Sequence, residues 1–350
     1  MELALIGLQG AGKTTLLHAI TRGPRGGPVA TVPLPDPRLD QLAAHFRPLR
    51  TIYPEATFHD LPPWPEGGRP FSPEASHLLS RAEALVMVIR AFRRPDVPHP
   101  RGEVDPERDF QELSLEMAYR DLDVVSRRLE KVAKAAASAR PTERESAQRE
   151  LKALQRAKAT LEAERPLRQE GLTPEERKLL SPFALLTLRP LLIAINADDP
   201  VIGTEISQAL ASRYGGEATT FVPICAQMEL ELAQMPQEEA DAFRQELGLP
   251  PEGMGAFLRS VLEVTGTVTF YTVVGEECRA WPVPRGTTAL EAASKIHSDM
   301  ARGFVRAEVI PWHQLLEVGT LQEAKARGLL RTEGKGYVVQ DGDVIHILFH

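Results

Sequence analysis

The chain lacks most of the features that would take it out of the ordinary soluble, globular class. Its 350 residues include only two cysteines, Cys225 and Cys278, which give neither a disulfide framework nor a metal-ligand spacing. No apolar run approaches the ~18 residues of a membrane span. The N-terminus has no basic region followed by a long apolar core, as a secretory signal would. These absences point to a cytoplasmic protein without membrane contact. Positive charge is not in excess either: the net charge of −7 excludes wholesale coating of nucleic acid, though not a local basic patch. The C-terminal region is nearly charge-balanced and has no interleaved aromatics on which bases would stack. What remains is a composition 43% apolar and 25% charged, normal for a globular chain long enough for two or three domains.

The most specific feature present is Gly7-Leu8-Gln9-Gly10-Ala11-Gly12-Lys13-Thr14, a complete G-x-x-x-x-G-K-[ST] phosphate-binding loop. Glu2-Leu3-Ala4-Leu5-Ile6 before it suits a buried strand, and Thr15-Leu16-Leu17-His18-Ala19-Ile20 after it has helical spacing. A strand turning through glycines into a helix aims a row of backbone N–H groups and the positive end of the helix dipole at one point. Gln9, Gly10, Ala11, Gly12, Lys13, Thr14 and Thr15 are therefore expected to hold a nucleotide. Lys13 reaches the outer phosphates as a catalytic group, and the Thr14 hydroxyl ligates Mg²⁺.

Alternating strand and helix patterns extend to about residue 104, with strands expected at Leu3–Ile6, Ala56–His59 and Ala84–Ile89. Loops are expected at 23–28 and 62–68, which are rich in Pro and Gly. Residues 105–185 differ. Leu115, Ala118, Leu122, Val125, Leu129 and Val132 form a heptad seam. A break at Ala139-Arg140-Pro141 and a capping box at Thr142–Glu145 start a second helix carrying Ala147, Leu151, Leu154 and Leu161. Thr173-Pro174-Glu175-Glu176 starts a third, with Pro at its first position. This segment reads as an antiparallel helical hairpin inserted into an α/β domain, which resumes over 186–265 with strands at Leu191–Ile195 and Phe221–Ile224. Residues 266–350 read as a separate β-grasp module: strands at Thr267–Val274 and Arg279–Val283, a helix at Ala289–Met300, and a hairpin over 337–346 turning at Asp341-Gly342.

With the phosphate loop, several further blocks resemble the YchF subfamily of Obg-like P-loop NTPases over nearly the whole chain. They are Val32-Pro33-Leu34-Pro35-Asp36-Pro37-Arg38-Leu39-Asp40, Val104-Asp105-Pro106-Glu107-Arg108-Asp109, Phe183-Ala184-Leu185-Leu186-Thr187-Leu188-Arg189-Pro190, Gly303-Phe304-Val305-Arg306-Ala307-Glu308 and Val339-Gln340-Asp341-Gly342-Asp343-Val344. The resemblance implies a Ras-like P-loop domain (1–104 and 186–265), an inserted coiled-coil hairpin (105–185) and a C-terminal β-grasp TGS domain (266–350). It also implies ATP-preferring hydrolysis and a link to the ribosome or RNA.

Against that pattern the chain departs in ways that bear on chemistry. The base-recognition motif falls at a strand end as Asn196-Ala197-Asp198-Asp199. Asp199 favours guanine, but Ala197 stands where a lysine would pack on the base. Asn196 and Asp199 can equally be residues that cap a helix. The next strand end, Cys225-Ala226-Gln227, completes the expected base contacts. Switch I is shortened to Gly23–Ala30. Switch II reads Asp60-Leu61-Pro62-Pro63, so Asp60 can still hold Mg²⁺ through water, but Pro63 has no N–H for a γ-phosphate. His99 matches the position of the histidine that the family uses on a mobile loop, which makes it a catalytic candidate, although a lone solvated histidine is common. Arg149, Lys152 and Arg156 share one helix face, either as a solvated face or as a stripe that contacts phosphates. The expectation is an α/β, monomeric, Mg²⁺-dependent binder of ATP or GTP with slow hydrolysis. The alternative is a non-catalytic nucleotide-binding adaptor that docks to RNA or the ribosome.

Overall fold

The computed structural model describes every residue except Arg25, Glu66, 68–70 and 139–140, and only the backbone of 136–138 and 141–143. The expected break at Ala139-Arg140 and the side chain of Thr142 in the expected capping box therefore lie outside the described residues. The chain begins with β1 (Glu2–Ile6), α1 (Lys13–Ile20), β2 (Val29–Pro33), α2 (Pro37–Phe46), β3 (Arg50–Ile52), β4 (Glu55–Asp60), α3 (Pro73–Arg81) and β5 (Ala84–Arg90). There follow α4 (Pro106–Ser138), α5 (Pro141–Glu162), α6 (Pro174–Leu180), β6 (Leu191–Asn196), α7 (Pro200–Tyr214), β7 (Thr219–Ile224), α8 (Ala226–Leu232), α9 (Gln237–Glu246) and α10 (Met254–Val264). The last elements are β8 (Thr267–Val274), β9 (Glu277–Pro284), α11 (Ala289–Ile296), α12 (Ser298–Arg302), β10 (Phe304–Pro311), α13 (Trp312–Val318), α14 (Leu321–Ala326), β11 (Arg331–Glu333) and β12 (Asp343–Phe349). Two compact units result: Met1–Val32 with Thr57–Ser260, and Pro33–Ala56 with Val261–His350.

The first unit is built on a sheet of order β2-β4-β1-β5-β6-β7, with parallel pairing from β4 through β7. Every residue of β5 and β6 is buried, as expected of parallel strands covered on both faces. The sheet grows from β1 in both directions, so a crevice opens beyond its C-terminal end, where open α/β sheets bind ligands. The helical hairpin is inserted between β5 and β6. Its seam is real: Ala118, Val125 and Val132 of α4 are buried against Ala153, Leu154, Ala157 and Leu161 of α5, with Leu122, Leu129 and Leu151 packed at the margin. Leu115 leaves the seam and lines a cavity instead. At α6 the expected capping box is present, Thr173 and Glu176 bonding reciprocally with Pro174 at the helix start. Asp121 of α4 ties the hairpin to the chain entering β6. Its buried carboxylate accepts Leu186 N (2.9 Å), Thr187 N (2.7 Å) and Thr187 Oγ1 (2.6 Å).

The second unit is a mixed sheet of order β11-β10-β12-β8-β9-β3. Helix α11 lays Ala289, Ala292 and Ala293 on Val268, Phe270, Val309 and Ile345. Three expectations change here. The segment 33–56, which the sequence boundaries left in the nucleotide domain, belongs to this unit. Leu39 and Leu42 of α2 are buried with Tyr271, Cys278, Ala280 and Val344, β3 pairs with β9, and Tyr271 Oη donates to Asp36 Oδ2 at 2.6 Å. The segment 337–346 is not a hairpin. Strand β12 pairs antiparallel with β10 and parallel with β8, and Asp341 does not turn a hairpin but accepts Thr269 N (2.8 Å) and Arg38 Nη1 (2.6 Å). The expected helix 289–300 also ends early, at Ile296.

Candidate functional site

The site forms where β1 runs into α1. Leu3, Ala4, Leu5 and Ile6 are buried in the sheet, so the chain leaves it at a fixed point. Gly12 is the N-cap of α1 at φ 92°, a left-handed conformation suited to glycine, and a Cβ there would come 2.2 Å from Asn196 Nδ2. No side chain caps this helix, so its first N–H groups are left to an anion. Lys13 is buried, with Nζ at 3.3 Å from Gly7 O and 3.5 Å from Leu8 O. Burial lowers its pKa, and nearby Asp60 opposes the shift. Thr14 Oγ1 donates to Asp60 Oδ2 at 2.5 Å, bringing together the two residues expected at the metal.

Around this loop lies a cavity of about 870 Å³. Gly10, Ala11, Gly12, Lys13, Thr14 and Thr15 line one part of it; Gln9 does not line it and is exposed. Asn196, at the end of β6, joins the phosphate loop to the next strand end: Nδ2 donates to Ala11 O (3.0 Å) and Oδ1 accepts Ala226 N (3.2 Å). Ala197, Gln227, Met228 and Glu231 also line the cavity, with Gln227 Nε2 held by Glu231 Oε1 at 2.6 Å. Cys225 is buried as the N-cap of α8, and burial first, then nearby acids, push its thiol up to about 12.

Several expected roles are corrected. Asp199 does not face the cavity. With Pro200 opening α7, Asp199 is its N-cap, and Oδ1 accepts Val201 N (2.8 Å) and Ile202 N (3.0 Å). Of the two adjacent aspartates, Asp198 is the one that lines the cavity. His99 is not on a solvated loop but buried. Its Nδ1 accepts Arg101 N (3.1 Å), so Nε2 carries the proton and donates to Asp109 Oδ2 (2.8 Å). Both ring nitrogens are occupied and His99 does not line the cavity, so this arrangement does not place it to orient water. In the basic stripe, Arg149 is paired with Glu175 (3.0 Å) and Arg156 with Glu176 (2.9 Å). Lys152 is exposed. Two of the three charges are thus neutralised within the chain.

The switch II segment is fastened down. Leu61 N donates to Leu5 O (3.3 Å) and Trp64 N to Gly7 O (3.0 Å), while Trp64 and Phe71 are buried edge-to-face at 4.9 Å. Pro62 and Pro63 line the cavity without an N–H to offer. Sequence reasoning missed Arg90, a charged residue ending a wholly apolar strand. It is 2% exposed, its Nε and Nη2 hold Phe92 O (3.1 Å) and Val97 O (2.9 Å), and Nη1 has no hydrogen-bond partner among the described residues. Phe92 and Val97 in turn form part of the cavity wall.

Comparisons with known proteins agree with this architecture. The family model YchF-GTPase_C, described as a protein of unknown function (DUF933), matches residues 267–350. The chain is 32% identical to the ribosome-binding ATPase YchF of Bacillus subtilis (strain 168) and 33% identical to that of Escherichia coli O157:H7. Each alignment covers 100% of this chain and 99% of the relative. Among solved structures, the Schizosaccharomyces pombe YchF GTPase superposes with a TM-score of 0.84 at 22% identity, covering 99% of this chain and 97% of that one. A loop-and-hairpin architecture of this kind, matched end to end at such identity, places the chain in the YchF family.

Proposed function

We propose that this protein binds a purine nucleoside di- or triphosphate with Mg²⁺ at the α1 N-terminus, hydrolyses it slowly, and does not work as an efficient γ-phosphate switch. The carrying observation is the uncapped phosphate-loop helix with Lys13 above it and the Thr14–Asp60 oxygen pair beside it. Two hard oxygen donors suit Mg²⁺, which keeps several waters and takes further ligands from phosphate. Bound there, the ion would neutralise negative charge on the phosphates. Lys13 leaves its two loop carbonyls to meet the outer phosphates, while the loop amides fix the inner ones. The base sits against Ala197, Asp198 and Gln227; without a lysine at 197 and with Asp199 turned to α7, discrimination between adenine and guanine is modest. Fastening of the 61–64 segment and Pro63 supports slow turnover. The relatives' name, ribosome-binding ATPase, supports association with ribosomes, through surfaces other than the paired Arg149–Arg156 face.

Calorimetric titration with ATP, GTP, ADP and GDP, each with Mg²⁺ and with EDTA, tests this. The expected result is Mg²⁺-dependent binding that Thr14→Ala weakens, with base and γ-phosphate preferences each under about a hundredfold, or about 2.7 kcal/mol. A larger triphosphate preference, with single turnover near the roughly 1–100 s⁻¹ of efficient kinases, would refute the slow-switch reading. Intact binding with no turnover would leave a nucleotide-binding adaptor.

A further inference from the structure

A second cavity, of about 720 Å³, lies in the same unit and shares no lining residue with the first. Gln111, Ser114, Leu115 and Ala118 of α4, at i, i+3, i+4 and i+7, present one helix face to it. Arg168, only 2% exposed, also lines it. Its Nε donates to Thr219 Oγ1 (2.9 Å) and its Nη1 to Thr187 O (3.3 Å). Among the described residues no carboxylate bonds this guanidinium and Nη2 has no acceptor; the nearby acid, Asp121, has its oxygens taken by Leu186 and Thr187 and acts through space on both Arg168 and Arg189. The Oγ of Ser114 is likewise buried without a partner. The other lining cations are spoken for: Arg108 bonds Asp109 and Arg213 bonds Glu107. Glu112 is paired with Arg101, and Glu164 is exposed at the rim, where solvent screens it. A buried, permanently charged group that shares its one nearby acid with a second guanidinium and has a free donor calls for an anion.

We propose that this cavity binds a small organic monocarboxylate, its carboxylate taken by Arg168 Nη2 and Ser114 Oγ and its hydrocarbon body lying along Leu115, Met117 and Ala118. One acid, Asp121, shared between Arg168 and Arg189 leaves one positive charge to match one negative charge, and a phosphate dianion would bring a second that is unmatched. This site is independent of nucleotide binding.

The test is calorimetry of the full chain with hexanoate and benzoate, against benzamide and inorganic phosphate. Both carboxylates are expected to bind at least tenfold tighter than benzamide or phosphate. Arg168→Gln should weaken them at least tenfold, and Ser114→Leu, which fills the cavity but keeps the guanidinium, should do the same. Lys13→Ala should leave them unchanged. Absence of carboxylate binding, phosphate binding as tightly, loss of binding in Lys13→Ala, or a folded Ser114→Leu protein that binds normally would each overturn the proposal. If Arg168→Gln does not fold, the Ser114→Leu result decides.

Discussion

Replacing Lys13 by Met should separate stability from binding. In the protein without nucleotide, Lys13 is a buried cation whose hydrogen bonds among the described residues are two long ones, to Gly7 O and Leu8 O, with Asp60 acting on it only through space. Neither carbonyl depends on it: Gly7 O also accepts Trp64 N at 3.0 Å, and Leu8 O accepts Ala11 N at 3.3 Å. Methionine matches the stem and leaves no orphaned acceptor, so the change removes a desolvated charge at little packing cost. The expected effect is stabilisation on the order of 1 kcal/mol, or a Tm rise of about 2–4 °C for a domain of this size. The pH dependence has a defined sign. Because burial lowers the folded pKa of Lys13 below 10.5, the unfolded chain binds more protons between the two values. The penalty is therefore full below the folded pKa and is relieved as pH rises toward 10.5, so the advantage of Lys13→Met should shrink in alkaline buffer. Binding goes the other way. Mg²⁺-ATP at a hundred times Kd stabilises a binding-competent protein by about 2.7 kcal/mol, and Lys13→Met should lose nearly all of that shift. Thermal melts at two pH values, with and without nucleotide, measure all three. A variant that melts well below the parent without nucleotide, or keeps the parent's ligand shift, refutes the account.

Gly12→Ala must accommodate both φ 92° and a Cβ 2.2 Å from Asn196 Nδ2, so it should abolish detectable nucleotide binding by calorimetry and lower the melting temperature. Asp121→Ala leaves the buried Leu186 and Thr187 N–H groups without acceptors and should cost about 3 kcal/mol in urea unfolding, with Asp121→Asn recovering part of it. His99→Ala should destabilise by about 2 kcal/mol, because Asp109 loses a buried donor, while leaving nucleotide affinity within twofold by titration; a selective loss of turnover with unchanged stability would restore His99 to catalysis.

The local chemistry of this protein was legible in its sequence. The phosphate loop needs glycine at a left-handed position and an amide-rich helix start, and residues 7–14 supply both within one short stretch. The heptad seam and the Thr173 capping box are also local patterns, and the structure contains them. What the sequence left open depended on partners distant along the chain. Whether Asp199 or Asp198 lines the cavity was decided by where Pro200 starts α7. His99 reads as a loop histidine until α4 brings Asp109 to it, and the Arg149–Arg156 stripe reads as free charge until α6 and its flank supply Glu175 and Glu176. The segment 33–56 joined the C-terminal unit because Leu39, Leu42 and Asp36 find their burial and hydrogen bonds with residues more than two hundred positions away. Spacing along a chain encodes helix faces, strand alternation and turn geometry; which charges are paired and which cavity a side chain lines is set by contacts that only the folded arrangement of sheet and hairpin creates.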